Sequence, residues 1–166
     1  MMQVYLIRHG IAVDREDPNC PPDTERPLTP KGRKRTEAAA MGLRALDVKP
    51  SAVLTSPWLR ALQTAEIFCE AMGFPHKKII RTDSLKGTST PADLMRELQT
   101  IKGKVVLCFG HEPHLHLMIG HVLHTNAKIT ELKKAGLALL ELERLSPPQG
   151  RLIALYPAST LRLLAK

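Results

Sequence analysis

Aromatic residues and long apolar runs are both scarce in this chain of 166 residues. Phe, Trp and Tyr together make up 4% of it, and the basic residues are dispersed rather than interleaved with stacking rings. Nucleic-acid binding modules usually combine a basic patch with such rings or with a recognisable motif, so the composition argues against a nucleic-acid partner. No apolar run approaches the length of a membrane span, so we expect no membrane partner either.

Cysteine pairs and a secretion signal are also missing. The three cysteines, Cys20, Cys69 and Cys108, lack CxxC spacing, so neither a disulfide framework nor a zinc knuckle is indicated. The start MMQVYLIRHG has no basic leader and no small-residue cleavage site. We therefore expect reduced thiols and a cytoplasmic location.

The composition that remains is globular and basic. Hydrophobic residues make up 43% and charged residues 24%, and the length suits one domain spanning residues 1–166. Lys and Arg outnumber Asp and Glu by 24 to 16, for a formal net charge of +8. This excess favours an anionic partner, either a phosphorylated protein or a small phosphorylated substrate.

Apolar runs alternate with helical patterns along the chain. The predicted strands cover residues 4–7, 51–55, 78–81 and 105–109, followed by a hairpin of strands at 136–142 and 151–156 around the turn-like SPPQG. The predicted helices cover 30–46, a segment opening at 56–57, 91–101 and a segment opening at Pro113. This order predicts an α/β domain of three α/β/α layers, with a largely parallel sheet and an antiparallel element near the end.

The helix after Pro57 has a predicted core face. Its apolar residues recur at spacings of four and three, at Trp58, Leu62, Ala65, Cys69 and Met72. Arg60, Gln63 and Thr64 lie off this stripe.

Two histidines directly follow predicted buried strands. His9 stands in Arg8-His9-Gly10 after the first strand, and His111 follows the strand at 105–109. Ligands of parallel sheets gather at the carboxyl ends of the strands, so both histidines are predicted at the ligand-binding edge. A polar, Pro-rich loop over residues 11–28 is predicted beside them, and long ordered loops are often functional.

These residue types suit phosphoryl chemistry. A neutral imidazole is a nucleophile toward phosphorus, and nearby arginines both keep it neutral and bind phosphoryl oxygens. Gly10 has no Cβ and permits close approach of a substrate. Taken singly, His9 could instead be a hydrogen-bonded histidine at a strand end, Arg60 a solvated helix residue and Gly10 a plain turn residue.

Three motifs together carry a family resemblance. LIRHG, TSPWLRALQTAE and FGHEP, in that order after successive strands, resemble the histidine phosphatase superfamily over residues 3 to 125. The short chain and the segment RPLTPKG resemble its SixA-type phosphohistidine phosphatase branch. The resemblance implies a phosphoglycerate mutase-like fold and an enzyme that needs no cofactor or metal.

The resemblance also implies roles for five residues. His9 is the nucleophile, Arg8 and Arg60 bind the phosphoryl group, and His111 donates a hydrogen bond to it. Arg26, in ERPLT, matches a loop arginine that holds the substrate.

A general acid is harder to assign. Many family members carry a carboxylic acid in the segment that corresponds here to DSLKGTSTPAD, which shows no clear equivalent. Glu112 resembles the acid position of the superfamily's acid phosphatase branch, and Asp83 and Asp93 are further candidates. Imidazole leaves phosphohistidine more readily than an alkoxide leaves an ester, so a missing acid favours a phosphohistidine substrate.

The segment around His111 is rich in histidine without forming a metal motif. HEPHLH places Leu115 where HExxH needs its second ligand, and Pro113 interrupts a helix there. We therefore predict no metal site. Surface or helix positions without an assigned role are predicted for His114, His116, His121 and His124.

The sequence thus predicts a phosphatase with a phosphohistidine intermediate, acting on phosphohistidine of a signalling protein. A general small-molecule phosphomonoesterase and a phosphate-binding module without turnover remain as alternatives. A phosphoglycerate mutase is less favoured because the chain is short for the insertions that hold a bisphosphorylated sugar acid.

Overall fold

The computed structural model describes residues 1–166 as six strands and five α-helices. The strands are β1 (Met2–Arg8), β2 (Ala52–Thr55), β3 (Ile80–Arg81), β4 (Val105–Gly110), β5 (Leu137–Leu145) and β6 (Pro148–Tyr156). The helices are α1 (Pro30–Ala45), α2 (Leu59–Met72), α3 (Pro91–Leu98), α4 (His114–Val122) and α5 (Ala158–Leu164). Short 3-10 turns lie at Asp23–Glu25, His76–Lys78 and Asp83–Leu85. None of the helices has the length and apolar character needed to span a membrane.

One mixed sheet organises the molecule, in the order β3-β2-β4-β1-β5-β6. The first four strands in this order are parallel, and β5 and β6 add an antiparallel edge. Arg8 of β1 pairs with Gly110 of β4, and the His9 amide donates to the Gly110 carbonyl at 3.1 Å. His9 and His111 therefore leave the sheet side by side, and the predicted α/β class is confirmed.

Helices cover both faces of the sheet because its central strands are buried on both sides. In β1, Val4 and Leu6 pack toward α3 and α4, while Tyr5 and Ile7 pack toward α1, α2 and α5. This two-residue alternation divides the core into two apolar layers with the sheet between them. The three-layer α/β/α arrangement is thus confirmed.

The buried face of α2 differs from the predicted stripe. Ala65 and Cys69 are buried as expected, but Leu62 and Met72 are only half-buried, and Trp58 precedes the helix. Arg60 and Thr64, which lie off the predicted stripe, are buried as well. Small alanines let α2 lie close to the sheet, and the helix turns its first polar residues toward the carboxyl end of β1 rather than toward solvent.

Several element boundaries also differ from the prediction. Helix α3 ends at Leu98 rather than 101, β3 has two residues, and the hairpin strands extend until Ser146 and Pro147 alone separate them. Helix α5 was not predicted, because seven residues give too little periodicity. It is stabilised by Leu161, which packs on α1 where Gly42 leaves room for its backbone.

Candidate active site

His9 lies directly after β1 and is 3% exposed. Its Nδ1 is 2.7 Å from the Gly10 carbonyl oxygen, which can only accept, so Nδ1 carries the proton and donates it. Nε2 therefore holds a lone pair. Burial, and then the charges of Lys134, His111 and Arg60, lower the pKa of His9 far below its ordinary value. The imidazole is neutral with a nucleophilic nitrogen free of hydrogen.

Arg60, on the first turn of α2, is 2% exposed and points at that nitrogen. Its Nε donates to His9 Nε2 at 3.3 Å. Its Nη1 donates to the Asp23 carbonyl at 2.6 Å, and its Nη2 to Asp23 Oδ2 at 3.4 Å. The guanidinium carbon lies 5.0 Å from the centre of the Trp58 ring. Arg60 is thus fixed beside the nucleophile, where the amino end of α2 adds partial positive charge.

Arg8 precedes the nucleophile in β1 and lines the same cavity. Its Nη1 donates to the Leu132 carbonyl at 2.6 Å and lies 4.0 Å from a Glu131 carboxylate oxygen. Its Nε has no partner within the chain. One corner of the guanidinium is therefore anchored while the remainder stays available to an anion.

His111 lies directly after β4 and is 2% exposed. Its Nε2 is 2.9 Å from Ser56 Oγ, and its ring centre lies 5.1 Å from that of His9 and 4.7 Å from that of Trp58. Burial, and then the charge of Arg60, lower the pKa of His111 to about 3. The ring is therefore neutral at physiological pH and offers one N–H donor.

The Asp23 carboxylate accepts hydrogen bonds from three arginines at the edge of the site. Its Oδ1 accepts from Arg26 Nε at 2.9 Å and from Arg15 Nε at 3.0 Å, while Oδ2 accepts from Arg60. Arg26 is 7% exposed and also donates to the Val13 carbonyl at 2.7 Å. Burial alone raises the pKa of Asp23, but the Arg15 hydrogen bond and the Arg60 charge outweigh it and lower that pKa to about 2.

A cavity of about 680 Å³ opens above these groups. The basic side chains that line it are Arg8, Arg15, Arg26, Arg60 and Lys134. A neutral imidazole among fixed guanidinium groups suits a tetrahedral dianion, because paired N–H donors match pairs of phosphoryl oxygens. The site can therefore hold a phosphoryl group directly over a nucleophilic nitrogen.

The family model of the histidine phosphatase superfamily (branch 1) matches residues 4–89, more than half of the chain. The chain belongs to the histidine phosphatase superfamily. This assignment confirms the predicted resemblance and makes the chain a metal-independent phosphatase. The matched residues include His9, Arg26 and Arg60.

Two relatives support the same assignment. An uncharacterised protein of Picosynechococcus sp. strain PCC 7002 is 41% identical over 116 residues, which cover 69% of this chain and 68% of that protein. The phosphohistidine phosphatase SixA of Escherichia coli is 37% identical over 75 residues, which cover 45% of this chain and 44% of SixA.

Solved structures share the fold of this histidine phosphatase. SixA complexed with tungstate superposes with a TM-score of 0.84 at 24% identity, covering 96% of this chain and 99% of that one. A putative SixA of Agrobacterium tumefaciens gives 0.75 at 22% identity, with coverages of 93% and 96%. A phosphoserine phosphatase of Entamoeba histolytica gives 0.73 at 16% identity, with coverages of 97% and 100%. At these identities the likeness confirms the phosphoglycerate mutase-like fold.

Gly10 lies beside the cavity without lining it. A Cβ at this position would collide with Thr36 Oγ1 and lie 3.3 Å from Leu28 Cδ2, both outside the cavity wall. The Gly10 amide donates to Thr64 Oγ1 at 3.0 Å, and its carbonyl sets the tautomer of His9. The structure thus places Gly10 where it packs the loop and orients the nucleophile.

The three candidate general acids of this histidine phosphatase all form contacts with other groups of the chain. Glu112 lines the cavity, but its Oε1 accepts from the Leu132 amide at 2.9 Å, and its Oε2 accepts from the His116 amide at 3.2 Å and lies 2.8 Å from His116 Nδ1. Asp83 and Asp93 do not line the cavity. Asp83 pairs with Lys86, and Asp93 caps α3.

The neighbouring histidines divide between the core and the surface. His114, predicted at a surface or helix position, is on α4 but fully buried, and its Nε2 lies 3.1 Å from the Thr90 carbonyl. Burial lowers the pKa of His114. His116 contacts Glu112, while His121 and His124 line a separate surface cavity. No three His, Cys, Asp or Glu side chains lie close enough together to hold a metal ion.

Several residues of the site had no predicted role, among them Ser56, Trp58, Asp23 and Lys134. Ser56 and Trp58 belong to the TSPW segment, so that motif contained the signal for them. Asp23 lies three residues before Arg26 in the polar loop. Lys134 had no sequence signal, because a turn outside the motifs brings it in: the amide of the next residue, Ala135, lies 3.1 and 3.2 Å from the carbonyls of Arg8 and His9.

Proposed function

We propose that this histidine phosphatase removes phosphoryl groups from phosphohistidine on a protein, through a phosphoenzyme intermediate on His9. One observation carries the proposal. The Nε2 lone pair of His9 lies at the base of a cationic cavity, 3.3 Å from Arg60 Nε, while the candidate acid Glu112 has both oxygens engaged. The likeness to SixA over part of its length supports the same substrate class.

The first step transfers the phosphoryl group to His9. Arg60 Nε releases the Nε2 lone pair and turns its donors to phosphoryl oxygens, and Arg8 and Arg26, which line the same cavity, bind the other oxygens. His111 donates its single N–H. As the Nε2–P bond forms, the P–N bond of the substrate breaks, and the substrate imidazole departs neutral if its other nitrogen carries a proton.

The second step returns the enzyme to its starting state. Water attacks the phosphorus on the face opposite His9, the Nε2–P bond breaks and inorganic phosphate is released. The Gly10 carbonyl holds the proton on Nδ1 throughout, so imidazole is regenerated in the tautomer from which it began. His9 thus needs no proton transfer to act as nucleophile or as leaving group.

The environment of Glu112 links this mechanism to the leaving group. A general acid must give its proton to the departing atom, whereas both Glu112 oxygens are directed toward hydrogen bonds with the amides of His116 and Leu132. Without that proton, alkyl phosphates are poor substrates because alkoxides leave slowly. Phosphohistidine does not need it.

Trapping the intermediate tests the nucleophile. His9→Ala should abolish turnover, because no other side chain offers a lone pair at this position. Quenching the wild-type protein in alkali during turnover should place the phosphoryl label on His9. His121→Ala is the matched control and should keep normal activity, because His121 lines a separate surface cavity. A label on another residue, or turnover in His9→Ala, would refute the mechanism.

A leaving-group series tests the substrate class. We expect kcat/KM to fall steeply from phosphohistidine and nitrophenyl phosphate to alkyl phosphates, with little effect of Glu112→Gln on the first two. If Glu112 is the general acid, this variant should lose about a hundredfold on alkyl phosphates alone. Efficient hydrolysis of sugar phosphates, with phosphohistidine protein untouched, would leave the general phosphomonoesterase instead.

A further inference from the structure

A second cavity of about 310 Å³ adjoins the active site. It lies between α1, the turn at residues 133–136 and the start of α5, and it shares Ile11 and Lys134 with the catalytic cavity. Arg35, Lys133 and Arg162 complete a set of four basic residues on its wall, and no acidic residue lines it. The two cavities therefore meet at Lys134.

None of these four basic side chains has a partner within the chain. Arg35, Lys133 and Lys134 are exposed and Arg162 is half-buried, and none of them forms an ion pair or a side-chain hydrogen bond. Arg151, by contrast, pairs with Glu141 on the surface of the sheet. Like charges around one cavity repel one another, so an anion that enters it lowers their electrostatic energy.

We propose that this second cavity binds an acidic segment of the phosphorylated protein substrate, next to the phosphorylated residue. The proposal rests on the proposed function. Carboxylates complement unpaired guanidinium and ammonium groups, and a segment held beside Lys134 leads directly into the catalytic cavity. The cavity has no aromatic side chain on which a base could stack, which favours a polypeptide over a nucleic acid.

The turn that carries Lys133 and Lys134 is hydrogen-bonded to β1, the strand that directly precedes His9. The Gly136 amide donates to the Lys133 carbonyl at 2.8 Å, and the Arg8 amide donates to the Gly136 carbonyl at 3.1 Å. Ala135 has a φ of 57°, a left-handed conformation held by its amide contacts to the carbonyls of Arg8 and His9. The second cavity therefore keeps a constant position relative to the nucleophile, as a docking site for the same substrate requires.

Two phosphohistidine peptides test the proposal, one flanked by aspartates and one by asparagines. The test variant replaces Arg35, Lys133 and Arg162 together by Gln. The matched control replaces three exposed, unpaired lysines at the opposite end of the parallel strands by Gln, with the same change in net charge: Lys77, Lys102 and Lys104. For each protein we would measure hydrolysis of both peptides and of nitrophenyl phosphate, and binding of the fluorescently labelled acidic peptide.

The wild type and the control should prefer the acidic peptide, and the test variant should lose about tenfold in kcat/KM and in affinity for it at low ionic strength. Nitrophenyl phosphate hydrolysis should be unchanged in all three. Equal loss in the control would overturn the proposal, as would unchanged peptide binding in the test variant. If a labelled RNA oligonucleotide, measured in the same binding assay, loses affinity in the test variant while the acidic peptide does not, the proposal is overturned in favour of a nucleic acid. If the acidic peptide binds through the second cavity but the wild type hydrolyses neither phosphohistidine peptide, the proposed function is refuted instead.

Discussion

Replacing Asp23 by Asn should disable the arginine cluster while leaving the nucleophile in place. Asp23 is the one carboxylate that contacts Arg15, Arg26 and Arg60, and two of Arg60's three hydrogen bonds go to this residue. Without the negative charge, three guanidinium groups repel one another across the rim. Arg60 is then held less firmly beside His9, although its hydrogen bond to the backbone carbonyl of residue 23 remains.

The size of the effect follows from those contacts. A hydrogen bond between charged groups contributes about 1.5 to 3 kcal/mol when buried. The Asp23 side chain is 39% exposed, so solvent screens its interactions, and asparagine keeps one acceptor oxygen. The 2.6 Å bond from Arg60 Nη1 to the backbone carbonyl survives the change. We therefore expect a loss of about 1 to 2 kcal/mol in transition-state stabilisation, or about 5- to 30-fold in kcat/KM.

Steady-state kinetics on nitrophenyl phosphate would measure this loss, and it should fall mainly on kcat because Asp23 positions groups that act in the transition state. Asp14→Asn is the matched control. Asp14 also lines the cavity, but its carboxylate accepts from the Glu16 amide and touches no arginine. Equal losses in the two variants would refute the reasoning. A lower KM at unchanged kcat would show that Asp23 competes with the phosphoryl group for Arg60 rather than positioning it.

Three further predictions follow from the same site. Arg60→Ala should cost about 2 to 4 kcal/mol of transition-state stabilisation, and Arg60→Lys should restore only part of it in kcat/KM, because lysine lacks the planar fork. Although Lys134 is exposed, partial desolvation at the cavity and the charges of Arg8 and Arg60 lower its pKa to about 8, so KM should rise as the pH passes from 7 to 9, and Lys134→Gln should flatten that rise. His9, His111 and His114 are neutral in the fold with lowered pKa values, so unfolding takes up protons and stability falls below pH 6.5. Urea unfolding should show that the free energy of unfolding falls by up to about 4 kcal/mol per pH unit below pH 6.5. A free energy of unfolding that is constant between pH 7 and 5 would contradict the buried neutral state.

The central fold could be predicted because its strands are buried on both faces. Val4 to Ile7 and Val105 to Phe109 are continuous apolar runs, and the turn residues around them mark their ends. The α2 face could not be predicted from apolar spacing, since Arg60 and Thr64 are buried and contact His9 and Gly10, directly after β1. Polar residues that are buried to serve a site run against the hydrophobic periodicity on which such predictions depend.

The candidate site, like the fold, could be predicted only in part. Strand ends and motifs led to His9, His111, Arg8 and Arg60, and the parallel pairing of β1 with β4 brings the two histidines to a centre-to-centre distance of 5.1 Å. Lys134 could not be found this way. It enters the cavity through a turn whose position depends on backbone hydrogen bonds to the carbonyls of Arg8 and His9, and backbone hydrogen bonds leave no trace in residue types.

The positive charge of the cavity serves two purposes that cannot be separated. Guanidinium and ammonium groups bind the phosphoryl dianion, and the same groups help to keep His9 unprotonated, since protonation would add another cation among them. Loss of Arg60 therefore weakens substrate binding and also removes one of the charges that, after burial, lower the pKa of His9. Burial is the larger cause of the lowered pKa of His9, so the histidine stays neutral where a single cation is lost, whereas the phosphoryl dianion then loses a binding partner directly.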